Sequence, residues 1–187
     1  MPMKFRNVSL PKAALVTVLS FVSALSAQTR SDVPRSGQWR SAGQNLANTR
    51  SQPEEHSINS VNVKNLNPKW VFTTGGDVSA TPTVEGDAVH FPDWGGDLFA
   101  VTKDSGQLIW SHKISEYDGV AGSISRVSPV VDSDRLIIGD ILREFINPQV
   151  HNGANVISVD RETGSLRWST QVDRHQSLLD LRLSSTA

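Results

Sequence analysis

The sequence contains no cysteine among its 187 residues. Disulfide bonds, thiolate metal sites, haem attachment through a CxxCH motif and a cysteine nucleophile are therefore excluded, and so is a lipoprotein anchor, whose acylated residue is a cysteine. An excess of charge of one sign is also missing, because 18 basic and 19 acidic residues leave a formal net charge of −1. This balance gives no electrostatic reason to expect a nucleic-acid partner.

The motifs of two common enzyme classes are absent as well. There is neither a Gly-rich phosphate loop nor a G-x-S-x-G elbow, which excludes nucleotide-binding and serine-hydrolase functions of those types. No metal ligand and no catalytic residue is assigned from the sequence, since the histidines show no metal-ligand spacing. They are His56, His90, His112, His151 and His175.

One hydrophobic run stands out, and it is short. Basic residues precede Ala13–Leu25, and small residues followed by a polar stretch come after it. This order predicts a secretory signal peptide over residues 1–27, because a membrane span needs roughly 20 apolar residues. The alternative is an uncleaved membrane anchor. Cleavage would give a periplasmic or secreted protein without a membrane span.

The rest of the chain reads as short strands. Residues 28–60 form a polar lead-in segment, after which Gly and Asp interrupt short apolar runs. Thr81–Val84 and Ser128–Val131 each meet an acidic turn, and new apolar runs start at Ala88 and Arg135. These are strand–turn–strand patterns, and helical periodicity is confined to the signal region. We therefore predict an all-β fold.

Two eleven-residue stretches repeat each other. Ala100–Trp110 reads AVTKDSGQLIW and Ser158–Trp168 reads SVDRETGSLRW, and in both the Trp follows the Gly by 4 residues. Gly favours the positive φ of a tight turn. The Trp can pack against a neighbouring unit while its N–H finds an acceptor. Two unrelated hairpins with core tryptophans are the alternative.

The spacing of the repeats predicts propeller blades. Trp70 precedes Trp110 by 40 residues, a normal length for a four-stranded blade. Trp168 follows after 58 residues, and the excess falls in Ile141–Gly153, which we interpret as an insertion between the second and third strands. Residues 61–172 are thus predicted to form an incomplete β-propeller of about two to three blades.

The repeats resemble the tryptophan-docking motif A-x-D-x-x-T-G-x-x-x-W of the PQQ-dependent dehydrogenases, which are eight-bladed quinoprotein propellers. The second repeat departs from the motif at Ser158, and the first departs at Thr102 and Ser105. The resemblance extends over Trp39 to Val172, and VSATPTV, FPDWGGDLFAV and GVAGSISRVSPVV look most similar to the polyvinyl-alcohol-dehydrogenase-like branch.

The resemblance implies a cofactor and candidate site residues. In that family Ca²⁺ polarises a carbonyl of pyrroloquinoline quinone (PQQ) and an Asp acts as the base, whereas haem is excluded here by the lack of cysteine. Arg126 lies where the family places an Arg on the PQQ oxygens, and Asp93 and Trp94 are further candidates. A surface Arg126 and a core Trp94 are the alternatives. Ser79 stands where many members carry a PQQ-contacting Glu.

Two functions remain open from the sequence. The first is the N-terminal part of a periplasmic PQQ-dependent alcohol dehydrogenase, with a small or polymeric alcohol as substrate and a periplasmic electron acceptor as partner. With so few blades it is expected to be inactive alone, and residues 173–187 read as an atypical tail outside the family register. The second is a non-catalytic propeller that acts as an interaction or outer-membrane assembly scaffold. A genuine short protein that completes its sheet by self-association is the alternative to a truncated one.

Overall fold

The computed structural model describes residues 37–141 and 154–172, which form two four-stranded antiparallel sheets. The first contains β1 Thr83–Glu85, β2 Ala88–Pro92, β3 Asp97–Thr102 and β4 Leu108–Lys113. The second contains β5 Val130–Asp132, β6 Arg135–Gly139, β7 Asn155–Asp160 and β8 Leu166–Gln171. In each sheet the strands are ordered as they occur in the chain. The predicted all-β, partial propeller fold is confirmed, and we call the sheets blade 1 and blade 2.

Some of the sequence predictions concern residues outside this part of the chain. The signal peptide (1–27), most of the insertion (142–153) and the tail (173–187) lie outside the described residues. The position of the insertion is nevertheless confirmed, because it connects β6 to β7, the second and third strands of blade 2.

Two short helices interrupt the all-β pattern. A 3₁₀ turn covers Val63–Asn65, and α1 covers Ile114–Asp118. Five residues are too few to show helical periodicity, so no pattern in the sequence predicted α1. It ends at Gly119, whose φ of 73° allows its N–H to reach the carbonyl of Ser115. No helix among the described residues is both long and apolar enough to cross a membrane.

The first strand of each blade begins later than predicted. β1 starts just after Pro82, and β5 starts just after Pro129. Proline has no N–H to donate to a neighbouring strand, which places it at the edge of a strand rather than inside it.

A hydrophobic core joins the two blades. Leu98, Ala100 and Trp110 of blade 1 pack with apolar side chains of blade 2. The blade 2 members of the cluster are Val131, Leu136, Ile138, Ile157 and Val159. Ala100 pairs directly with both His90 and Trp110 across the sheet. The small side chain at this position lets the rings of His90 and Trp110 approach to 6.0 Å between centroids, which explains the leading Ala of the repeat.

The repeated Trp fastens one unit to the turn of the next. Trp110 Nε1 donates to the carbonyl of Arg161 at 3.1 Å, and a Cβ on Gly164 would lie 2.7 Å from the Trp110 ring. Trp70 Nε1 donates to the carbonyl of Lys103 at 2.8 Å in the same way. The predicted docking role is confirmed for both tryptophans, although Trp70 does not belong to a strand.

The two docking turns have the same pattern of backbone hydrogen bonds but different side-chain hydrogen bonds. In blade 2, Asp160 Oδ1 accepts from the backbone N–H groups of Glu162 and Thr163. In blade 1, the Thr102 and Ser105 hydroxyls bond each other at 2.6 Å instead. The first repeat therefore keeps the turn although it departs from the family motif, because a neutral pair of hydroxyl groups replaces the Asp carboxylate.

The lead-in segment is bonded to both blades. Trp39 exchanges two backbone hydrogen bonds with Val84 of β1, at 2.8 and 2.7 Å. The backbone carbonyl of Arg40 accepts from the N–H of Val131 in β5. The guanidinium of Arg40 donates to both carboxylate oxygens of Glu85 at 2.7 and 2.8 Å. The lead-in thus covers the free edge of β1 and bridges to blade 2.

Candidate functional site

The candidate cofactor residues gather at one end of the strands, which we call the loop end. Asp97 at the start of β3 pairs with Lys113 at the end of β4, so the β2–β3 turn and the exit from β4 share an end of blade 1. The segment after α1 joins them there, because Ile124 exchanges two backbone hydrogen bonds with Ile141, just beyond β6. The docking turns occupy the opposite end.

Trp94 and Arg126 are in contact at the loop end. The Arg126 guanidinium carbon lies 4.5 Å from the centroid of the Trp94 ring, within the range of a cation–π interaction. Trp94 Nε1 donates to Ser79 Oγ at 2.9 Å. Three segments that are separate in sequence thus meet around one indole. Ser79, which stood out in the sequence only as a departure from the family pattern, is part of this cluster.

Arg126 keeps its hydrogen-bonding edge available. It is exposed, and within the described part of the chain no carboxylate forms an ion pair with it. A guanidinium that lies over an aromatic face still directs its N–H groups outward in its own plane. Such a fork suits carboxylate or quinone oxygens.

Asp93 serves the turn rather than the exposed cluster. Its side chain is fully buried, and its two carboxylate oxygens accept from the N–H groups of Gly76 and Asp97 at 2.9 Å. Asp140 occupies the same place in blade 2, where it accepts from the N–H and side-chain amide of Asn155. Both carboxylate oxygens of Asp93 are therefore engaged by the turn, and its predicted cofactor contact stays a prediction, whereas Trp94 and Arg126 meet in the exposed cluster.

A pair of carboxyl groups lies at the loop end of blade 2. Burial, followed by contact with Asp118, raises the pKa of Asp140 to about 7. Asp118 Oδ1 accepts from the N–H of Val120, and Oδ2 is buried without a donor among the described residues. A proton held between Asp118 and Asp140 would satisfy Oδ2. The position of Asp140 could be recognised from the repeat, since IGD aligns with FPD, but its contact with Asp118 could not.

The insertion departs from this same end. Its roots are Ile141 and Ala154, directly beside the Asp140–Asn155 pair. The equivalent place in blade 1 is the turn that carries Trp94. Insertions in repeat proteins often line the binding face.

The donor set matches the organic cofactor better than a metal ion. Among the described residues, no group of three or more His, Asp or Glu side chains could hold a metal ion, so we assign no Ca²⁺ ligand to them. Arg126 offers a cation that no carboxylate of the described residues pairs with, and Trp94 offers an aromatic surface; together they suit a planar molecule that carries carboxylates.

Sequence comparison identifies the family of these blades. The profile of the PQQ_2 family, described as outer membrane protein assembly factor BamB, matches residues 38–139 and 60–183. The chain belongs to the PQQ_2 family. This confirms the resemblance to PQQ-type propeller repeats that the two Trp motifs indicated.

The relatives of this PQQ_2 chain are named for two different functions. A protein of Paracoccus denitrificans that carries the name dehydrogenase XoxF is 27% identical over 166 residues, which are 86% of this chain and 26% of that protein. Outer membrane protein assembly factor BamB of Moranella endobia is 30% identical over 116 residues, 62% of this chain and 27% of its own. The chain therefore spans about a quarter of the length of these relatives.

Among solved structures, that of a europium-containing methanol dehydrogenase can be aligned with this chain. The alignment covers 76% of this PQQ_2 chain and 33% of the dehydrogenase chain. The sequence identity is 17% and the TM-score is 0.48.

Proposed function

We propose that this chain forms the first blades of a periplasmic PQQ-dependent alcohol dehydrogenase, and that Trp94 and Arg126 contribute to its cofactor site. The arrangement of the Arg126 guanidinium over the Trp94 ring, at 4.5 Å, carries the proposal. The match to a relative named as a dehydrogenase over 86% of this chain supports it. The signal-peptide pattern supports export.

The residues of this chain would bind and orient the cofactor. PQQ, when bound, supplies the redox chemistry by accepting two electrons and two protons from an alcohol. Arg126 would hold carboxylate or quinone oxygens through its N–H fork, and Trp94 would restrict the orientation of that fork. The substrate would be a small or polymeric alcohol, and a periplasmic acceptor would take the electrons. Any Ca²⁺ ligands and the catalytic base would come from outside the described residues.

Titration of the purified chain with PQQ, with and without Ca²⁺, tests the cofactor site. We expect saturable quenching of Trp fluorescence, and Arg126→Gln should weaken binding by about tenfold or more, because a charged hydrogen bond contributes about 1.5–3 kcal/mol. Trp94→Phe should weaken binding less.

Two matched controls accompany this titration. Arg135→Gln removes a half-buried Arg paired with Asp132 at the opposite end of β6, and Trp168→Phe changes an exposed Trp on β8. Both should bind PQQ as the unmodified chain does. Absence of binding by the unmodified chain would overturn the cofactor assignment.

A non-catalytic scaffold is the second candidate. It is favoured by β8, where Leu166 and Trp168 are exposed by 46% and 39%, and by the assembly-factor description of the family. Such a surface suits docking of another polypeptide. On this proposal the chain binds no PQQ, and replacement of Trp168 by Ser removes association with a protein partner, measured by cross-linking in cells.

A further inference from the structure

Ser79 has a contact that its sequence position did not predict. It lies before β1, in a segment that belongs to no strand, and its hydroxyl oxygen accepts the indole N–H of Trp94 at 2.9 Å. This residue is exposed, as is Arg126, whereas Trp94 is half-buried. The hydrogen bond therefore orients a side chain at the rim of the molecule, where packing alone leaves an aromatic ring free to change its rotamer.

The backbone around Trp94 is already fixed from both sides. The N–H of Trp94 donates to the carbonyl of Asp77 at 2.9 Å, and Asp93 anchors the turn from inside. With the main chain held, the remaining freedom lies in the two side-chain torsions of Trp94. A hydrogen bond from Nε1, the far edge of the ring, removes most of that freedom.

The orientation of Trp94 then determines that of Arg126. The Arg side chain has four rotatable torsions, so holding it in one conformation costs much side-chain entropy. Stacking on a fixed indole limits the guanidinium to one plane, and within the described part of the chain no carboxylate pairs with its N–H groups. Ordering before binding reduces the entropy that a ligand must overcome.

We infer that Ser79 is a positioning residue, which fixes the Trp94 ring so that the ring presents the Arg126 fork to a planar, carboxylate-bearing ligand. This inference rests on the proposed function for the identity of the ligand, PQQ. The positioning itself is a matter of the Ser79, Trp94 and Arg126 side chains. Because the hydroxyl of Ser79 is neutral, none of the described residues compensates the charge of Arg126, which favours anions over neutral molecules of the same shape.

The test compares Ser79→Ala with Ser79→Thr. Ser79→Ala removes the acceptor and should weaken PQQ binding about fivefold, the effect of one neutral hydrogen bond. Ser79→Thr keeps the hydroxyl and should bind within about twofold of the unmodified chain. Ser111→Ala, at an exposed serine of β4, is the matched control and should leave binding unchanged.

A spectroscopic signal separates positioning from a general loss of structure. The indole N–H resonance of Trp94, identified by its disappearance in Trp94→Phe, should shift upfield and exchange faster with water in Ser79→Ala but not in Ser79→Thr. The midpoint of thermal unfolding should change little in either, since the residue is exposed.

The outcomes distinguish this inference from the proposed function. If the unmodified chain binds no PQQ but the indole signal responds as described, the cofactor assignment fails and the hydrogen bond stands. If PQQ binds and Ser79→Ala binds it equally well, the positioning role of Ser79 is overturned while the cofactor site remains. An indole resonance that is identical in all the Ser79 variants also overturns it.

Discussion

At the scale of single residues, Gly164 shows how a turn can serve as a docking surface. Its φ of 72° requires glycine for conformational reasons, and its missing side chain leaves room for the Trp110 ring. Gly86 has a similar φ of 60°, but nothing lies within 4 Å of the place where its Cβ would be. A comparison of alanine substitutions at the two glycines therefore separates the cost of the backbone conformation from the cost of the steric clash.

Gly164→Ala should destabilise the chain more than Gly86→Ala. Both should lose about 1–2 kcal/mol from the left-handed backbone, and Gly164→Ala should lose about 1–3 kcal/mol more because the new methyl group displaces the rings of Trp110 and His112. Urea unfolding measures both. Equal losses would show that the Trp110 and His112 rings do not rest on this turn.

His90 makes the contact between the blades sensitive to acid. Its ring is fully buried, and burial, followed by the charge of Arg161, lowers its pKa to about 4. An unfolded chain takes up this proton near pH 6.5, whereas the folded chain resists it. The contribution of His90 to stability is therefore present above about pH 6.5 and is lost as the pH falls towards 4.

His90→Leu should remove this part of the pH dependence. Between pH 6.5 and 4 the unmodified chain should lose up to about 3 kcal/mol of unfolding free energy relative to the variant. Urea unfolding at a series of pH values provides the comparison, with His56→Leu at an exposed histidine as the control. Parallel curves for the unmodified chain and His90→Leu would contradict the assignment.

At the scale of elements, the two blades place an Asp at the same position with different consequences. Asp93 accepts from two backbone N–H groups. Asp140 instead has the raised pKa of about 7 and the contact with Asp118. A folded-state pKa above the unfolded value means that stability is full below about pH 4 and decreases as the pH rises towards 7.

Asp140→Asn should imitate the protonated form. The amide keeps one oxygen for the backbone N–H of Asn155, gives up the acceptor of the Asn155 side-chain amide and gains N–H groups for Asp118. Since the variant carries no buried charge, it should be more stable than the unmodified chain at pH 8, on the order of 2 kcal/mol. Near pH 4 the two should be equal. Thermal unfolding at both pH values provides the measurement, and lower stability of Asp140→Asn at pH 8 would rule out a carboxyl pair that shares a proton.

The same elements show what a sequence can predict. The Trp docking and the order of the strands follow from a pattern that the chain repeats, and each repeat adds an independent constraint on Ala100, Gly106 and Trp110. Contacts between loops have no such pattern. Ser79 and Trp94 meet because two irregular segments reach the same end of a blade, and only the folded backbone determines that distance.

At the scale of the whole molecule, Trp110 and Trp168 occupy equivalent places with different surroundings. Trp110 is buried at 8% exposure between the blades, whereas Trp168 is 39% exposed. Each pairs with a small residue of the preceding strand, Ala100 or Ser158. The two tryptophans therefore form a matched pair for measuring the contact between blades.

Trp110→Phe should lower the unfolding free energy by about 1–3 kcal/mol, because it removes the bond to Arg161 and part of the packing. Trp168→Phe should change it by less than about 0.5 kcal/mol. Chemical unfolding followed by far-ultraviolet circular dichroism gives both values. Similar losses in the two variants would indicate that blade contact contributes no more to stability than an exposed strand.

The hydrogen bonds of Trp39 and Arg40 set a limit for shortening the protein. These two residues are bonded to β1, and Arg40 is also bonded to β5, so they act as a strap that belongs to both blades. A shortened protein that begins at residue 37 keeps the strap, and one that begins at residue 61, where the blades were predicted to start, loses it. Removal of the polar lead-in would leave the edge of β1 open to pairing with other chains, and aggregation rather than simple loss of stability would be its first effect.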